Sequence, residues 1–292
     1  MKYTINQFRK DYPNDDVCLD MIFKLRYAKM PCCPACSQET TFKRIAGRRA
    51  YQCSDKDCQY QLYPTAGTVF EKTRTSLVDW FYIIYLMGST RNGVSAKEIQ
   101  RQLGVTYKCA WRMGHQIRLL MANGGLGMLS GTVEVDETYI GGKIRNKHAK
   151  KQEEAIGRGI AKKPIVTIVQ RGGEVRSFVV DNVGSGNIYK IITDNVEKGT
   201  KLITDGFSSY KWVGMQYNHI PVKHNNNYVT TGEKHTNNVE GFFSHLKRTI
   251  SGTHIHVSNQ HLQKYADECS FRYSHRHQGQ EMFHTILSQV VS

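Results

Sequence analysis

Between Gly131 and Gly142 the chain reads GTVEVDETYIGG, in which Val133, Val135 and Thr138 alternate with Glu134, Asp136 and Glu137 before glycines close the run. A period of two predicts a sheet strand, here one that carries acidic side chains. Beyond a polar stretch, PIVTIVQR and EVRSFVVDNVG flank Gly172 and Gly173 and predict a hairpin. GNIYKIITDNVEKG then places Ile188, Ile191, Ile192 and Val196 on one side of a helix. KLITD returns as a strand ending at Asp205, and His219 to Val222 is a candidate last strand. From about Asn237 a helix turns Val239, Phe242, Phe243 and Leu246 inward, and a final helix is expected over Gln260 to Tyr273. This order predicts a mixed sheet with antiparallel strands and one right-handed crossover.

The first 127 residues follow a different rhythm. Residues 4 to 28 suggest two short helices joined at Pro13, with Asp15 and Asp16 as candidate caps for the second. TSLVDWFYIIYLMGS carries a cap signal and an apolar, aromatic face that suits a core. A helix opening at Ser95, a turn at Gly104 and a helix from Thr106 have helix-turn-helix spacing. Tyr107, Lys108, Arg112 and His115 would then lie near the start and outer face of a recognition helix, and the alternative is a pair of helices that only pack. ANGGLG, Ala122 to Gly127, reads as a linker. The expected organisation is an α+β / α/β multidomain chain: residues 1–70 as helices and a cysteine module, 71–127 as the helix-turn-helix region and linker, and 128–292 as the sheet domain.

Cysteine spacing adds the first chemistry. Cys33, Cys36, Cys53 and Cys58 form Cys-x2-Cys, a 16-residue interval and Cys-x4-Cys. Four thiolates so spaced suit one tetrahedral structural zinc between two knuckles, with strands near Phe42 to Arg44, Ala50 to Gln52 and Gln61 to Tyr63. The alternative is two pairs of buried reduced cysteines. Such clustering favours a metal site in a reducing cytoplasm over a disulfide framework. No apolar core follows the early charges of MKYTINQFRKDYPNDD and no run of 18 apolar residues occurs, so neither a secretory leader nor a membrane span is expected. Forty Lys plus Arg against 25 Asp plus Glu give a net charge of +15, which favours a polyanionic partner such as nucleic acid. Eight of those cations fall in Lys143 to Lys163, where Lys143, Arg145, Lys147, Lys150 and Lys151 are candidates to grip DNA beside the acidic strand.

Three carboxylates then stand out by element: Asp136 in the first strand, Asp205 at the end of another, and Glu240 in HTNNVEGFFSHLKR. Strand, strand and helix, each bringing one carboxylate, can hold two divalent ions for phosphodiester chemistry. Lys247, two turns after Glu240, shares its helix face and would stand near a bound phosphate, with Arg248 beside it.

With the cysteine knuckles, VDETYIGGK, ITDGFSSY and HTNNVEGFFSHLKR in this order, the chain resembles insertion-sequence transposases with a zinc ribbon, a helix-turn-helix and a DDE core, the ISXO-type group. The resemblance covers essentially the whole chain. It implies an RNase H-like fold for roughly residues 130 to 292, binding of the element's terminal inverted repeats by the N-terminal part, and metal-dependent cleavage and strand transfer. Carried over by motif, Asp136, Asp205 and Glu240 would ligate two Mg2+ or Mn2+ ions, with Lys247 the basic companion. Thirty-four residues separate Asp205 from Glu240, a spacing common in such enzymes. In part of the group an asparagine is credited with the third role, and Asn238 stands two residues before Glu240; charge balance favours Glu240. Partners implied are double-stranded DNA, as terminal repeats and target, and further copies of the chain in a dimer or larger assembly, in a bacterial cytoplasm and on the nucleoid. The alternatives are an RNase H-like nuclease without joining activity and a zinc-ribbon DNA-binding regulator.

Overall fold

A computed structural model describes residues 3–122, 127–141, 162–222, 235–278 and 281–291. It divides into two compact units, one of residues 1–123 with 278–292, the other of residues 124–277. The basic candidates Lys143, Arg145, Lys147, Lys150 and Lys151 lie outside the described residues.

In the first unit, helices α1 (Ile5–Asp11) and α2 (Asp15–Tyr27) flank Pro13. Asn14 caps α2, its side chain accepting from the Val17 amide, where Asp15 or Asp16 was expected. Asp15 is instead committed across the unit, pairing with Arg49 at 3.0 Å and accepting from the Val78 amide at 3.1 Å. A small antiparallel sheet follows, in the order β1 (Phe42–Arg44), β2 (Tyr51–Cys53), β3 (Gln61–Leu62). Helices α3 (Leu77–Ser89), α4 (Ala96–Leu103) and α5 (Tyr107–Ala122) complete its main run. Ser95 caps α4, and Gly104 ends it at φ +67°, a left-handed conformation that costs a residue without Cβ little.

The sequence pattern assigned the chain's end to the sheet domain, and the contacts assign it to the first unit. Phe283, in α9 (Met282–Ser288), packs against Phe8, Tyr12 and Phe81 with ring centroids 5.1–6.3 Å apart across that cluster. Gly88 lets α3 approach α9 closely, since a Cβ there would stand 3.4 Å from the Phe283 nitrogen. Long-range aromatic packing of this kind leaves no local signature in the sequence.

The second unit is built on a five-stranded sheet in the order β6 (Val175–Val179), β5 (Lys163–Gln170), β4 (Thr132–Ile140), β7 (Lys201–Asp205), β8 (Asn218–Val222). The first three strands form an antiparallel meander, and β7 and β8 run parallel to β4. Helix α6 (Ser185–Asn195) makes the crossover from β6 to β7. The mixed sheet flanked by helices is consistent with an RNase H-like core. Strand alternation sends Val133 and Val135 into one core with Ile188, Ile192, Leu202 and Tyr210. On the other face, Ile140 joins Val239, Phe242 and Leu246 of α7 (Asn237–Arg248) and Leu262, Ala266 and Cys269 of α8 (Leu262–Ser274). The sheet is thus covered on both sides, and β5 is accordingly buried at every position but its two ends.

Candidate active site

Parallel pairing of β4 with β7 runs from Thr132 opposite Lys201 to Val135 opposite Thr204. Asp136 and Asp205 are the next residues on the two strands, so the sheet itself brings them side by side where the parallel ladder ends. Glu137 joins them: ligand oxygens of Asp136, Glu137 and Asp205 all lie within 4.8 Å of one another. Period two would send Glu137 to the opposite face from Asp136. Just past the last pair of the parallel ladder, however, the Asp136 carboxylate turns along the chain and accepts from the Glu137 amide at 2.8 Å. Glu137 is held by the buried Tyr210 hydroxyl, which donates to it at 2.8 Å, and Asp205 accepts from the Phe207 amide at 3.1 Å.

Crowding of like charges in a partly buried place sets the electrostatics. Burial pushes the Asp136 carboxyl up to about 7, and the charges of Glu137, Asp205 and Glu240 add to that, against the Glu137 amide. Burial also raises Glu137, with Asp205 adding to it and the Tyr210 hydroxyl opposing. Burial and neighbouring charge thus oppose ionisation at Asp136 and Glu137, which a divalent cation would relieve, and hard oxygen donors match a cation of the magnesium or manganese class.

Glu240 is exposed at the first turn of α7, accepts from the Thr236 hydroxyl at 2.9 Å, and stands outside the 4.8 Å cluster, although its charge reaches Asp136. Asn238 is directed elsewhere: its Nδ2 donates to Glu134 at 2.8 Å and its backbone amide to the same carboxylate at 2.9 Å. Lys247 is exposed, its Nζ 6.0 Å from the Phe243 ring centre, and Arg248 beside it is also exposed. Sequence reasoning missed Glu137, Tyr210 and the fully buried Glu134. The one available signal was the density of acids in VEVDE, since an acid flanked by Val133 and Val135 on a buried strand requires donors.

In the first unit the four expected cysteines converge: the sulfurs of Cys33, Cys36, Cys53 and Cys58 lie within 4.8 Å of one another, while Cys32 is exposed and outside the group. The Cys33 and Cys58 sulfurs are 3.7 Å apart. Zinc at a Zn–S distance of about 2.3 Å spaces tetrahedral sulfurs by roughly 3.8 Å, so the cluster fits that ion. On α5, Tyr107 is exposed with the Lys97 ammonium 5.1 Å from its ring centre, and Lys108 and Arg112 are exposed. His115 does not reach the outer face where it was expected. It is only 4% exposed, because the Trp111 indole one turn earlier covers it with ring centres 3.9 Å apart. Among the described residues no helix is long and apolar enough to cross a membrane.

Known proteins resemble the chain over both of these regions. The transposase zinc-ribbon domain model matches residues 13–61. A protein of Halobacterium salinarum described as "Uncharacterized protein in transposable element ISH50" is 24% identical over 298 residues, spanning 97% of this chain and 99% of that protein. The ISXO2-like transposase domain model matches residues 128–274, half of the chain and all of the sheet on which the carboxylates stand, and the chain belongs to that transposase family.

Proposed function

We propose that this protein cuts DNA at the terminal inverted repeats of an insertion sequence and joins the freed ends to a target. The observation that carries this reading is the convergence of Asp136, Glu137 and Asp205 at the end of two parallel strands. Asp136 and Asp205 would hold the divalent ions, Mg2+ or Mn2+, with Glu240 closing the set from α7 and Glu137 within reach as a further oxygen donor. Bound there, such ions supply Lewis acidity to the attacking and leaving oxygens of an in-line phosphoryl displacement. The chain's own residues do the rest. Tyr210 fixes Glu137, the Phe207 amide fixes Asp205, and Lys247, with Arg248, offers positive charge to a DNA phosphate on the same helix as Glu240. No protein nucleophile is required, because water and then a DNA 3'-hydroxyl attack the phosphorus directly.

In the first unit one zinc would hold the ribbon, and Tyr107, Lys108 and Arg112 would meet DNA from α5. Two DNA ends must be held together for joining, so the working assembly is a dimer or larger. The test is incubation of purified protein with Mg2+ and DNA carrying the element's ends, beside Asp205→Asn. Nicked and joined products from the wild type alone are expected. Cut ends that are never joined would reduce the protein to a nuclease, and repeat binding without cutting would leave a DNA-binding regulator.

A further inference from the structure

We infer that Asn238 serves the reaction as a positioning residue acting through Glu134, and is not a metal ligand. The inference rests on the metal-site reading above. Glu134 is fully buried, and both of its oxygens are saturated with donors. One accepts from Arg171 Nε at 2.7 Å and Asn238 Nδ2 at 2.8 Å. The other accepts from the backbone amides of Asn238 at 2.9 Å and Val239 at 3.1 Å. Those amides belong to the first turn of α7, which has no side-chain cap of its own: Thr236, at the capping position, donates its hydroxyl to Glu240 instead. A helix start without a local cap leaves donors that must be satisfied from elsewhere, and Glu134 supplies the acceptor from the sheet.

Chain connectivity makes this contact a ruler. Glu134 lies two residues before Asp136 on the same strand face, and Asn238 lies two residues before Glu240 on the helix. Clamping the first pair therefore sets the spacing of the second. Side chains two apart on a helix diverge by about 200°, so an α7 that turns Asn238 onto Glu134 carries Glu240 on another side of the helix. Arg171 completes the clamp, its Nη2 donating to the His235 carbonyl at 2.9 Å, and so anchors the residues that lead into α7.

The test measures Mn2+ binding by the full chain, from the spectrum of free Mn2+, together with the rate of DNA-end cleavage and thermal unfolding. Asn238→Ala is expected to keep Mn2+ affinity within about twofold while cleavage falls about tenfold to a hundredfold, the cost of a misplaced group. Asn238→Asp opposes two carboxylates and is expected to fall further. Glu134→Gln with Asn238→Asp restores a donor–acceptor pair and is expected to recover cleavage to within about fivefold of wild type. A ligand would behave otherwise. Loss of Mn2+ affinity in Asn238→Ala as large as in Asp205→Asn, or full binding and cleavage by Asn238→Asp alone, overturns the inference. If Asn238→Asp does not fold, the alanine variant and the double variant decide. Asp205→Asn that binds Mn2+ and cuts DNA like wild type would overturn the metal-site reading and this inference with it. Asp205→Asn and Asn238→Ala both losing Mn2+ would overturn this inference alone.

Discussion

The thiolate cluster of the first unit and the carboxylate cluster of the second each bring together ligands for a cation, but they are built differently. Cys33, Cys36, Cys53 and Cys58 come from one 26-residue stretch, on loops that the small sheet and short local hydrogen bonds such as Cys33 N to the Gln38 carbonyl tie together. A zinc ion held by the four sulfurs would be a further tie between those loops. Asp136 and Asp205 are 69 positions apart and are placed by a ladder whose flanking cores are complete without any ion. The first would draw stability from a bound ion, whereas the second gathers carboxylates at a place that the sheet itself sets. Metal removal separates the two roles.

The largest effect is expected from strong chelation or Cys36→Ser. Structural zinc binding contributes on the order of 10 kcal/mol to a small module, so residues 30–62 should lose amide protection while the five-stranded sheet keeps it, as read by hydrogen exchange with zinc content measured in parallel. Sheet residues losing protection together with the ribbon would break the comparison. Asp205→Asn should act in the opposite sense, lowering cleavage by about a thousandfold or more, or ~4 kcal/mol of activation, with no loss of thermal stability. A lower melting temperature in that variant would mean that the carboxylate cluster is structural after all.

A third experiment uses a carboxylate that belongs to neither site. Burial pushes Asp267 of α8 up to about 6 against the hydrogen bond from Gln263. Because its folded value is raised, its contribution is most favourable below the unfolded value near 4 and is lost as pH rises through 6. Asp267→Asn should therefore stabilise the protein by about 1–3 kcal/mol at pH 7.5 and by nothing at pH 3.5, as urea titrations would show. Equal effects at both pH values would remove burial as the cause. The smallest effect is expected at Ser95, whose hydroxyl caps α4. Ser95→Ala should cost about 1 kcal/mol by thermal unfolding and leave Mn2+ binding unchanged.

Those predictions draw on parts of the molecule that differ in how legible they are. The cysteine spacing was readable because a zinc knuckle is a local object, and alternation in β4 and the amphipathic period of α6 placed their elements for the same reason. Asp136 and Asp205 could be named because each ends or interrupts an apolar strand. Glu137 could not, since strict alternation assigns it to the other face and only the end of the parallel ladder gathers it in. His115 looked like a surface residue until Trp111 closed over it.

By itself, then, the chain determined what hydrogen-bonding period and ligand spacing can determine: two strands bearing carboxylates, a helix bearing Glu240, a four-cysteine module and a basic charge balance. Tertiary structure decided the rest. It returned α9 to the first unit through Phe283, gathered Glu137 beside Asp205, and set Glu134 under the uncapped start of α7. The physical reason is one of range. Propensity and periodicity act over a few residues, whereas burying a charge at Glu134 requires donors from Arg171, 37 positions away, and from Asn238, 104 positions away, which only the folded chain can deliver.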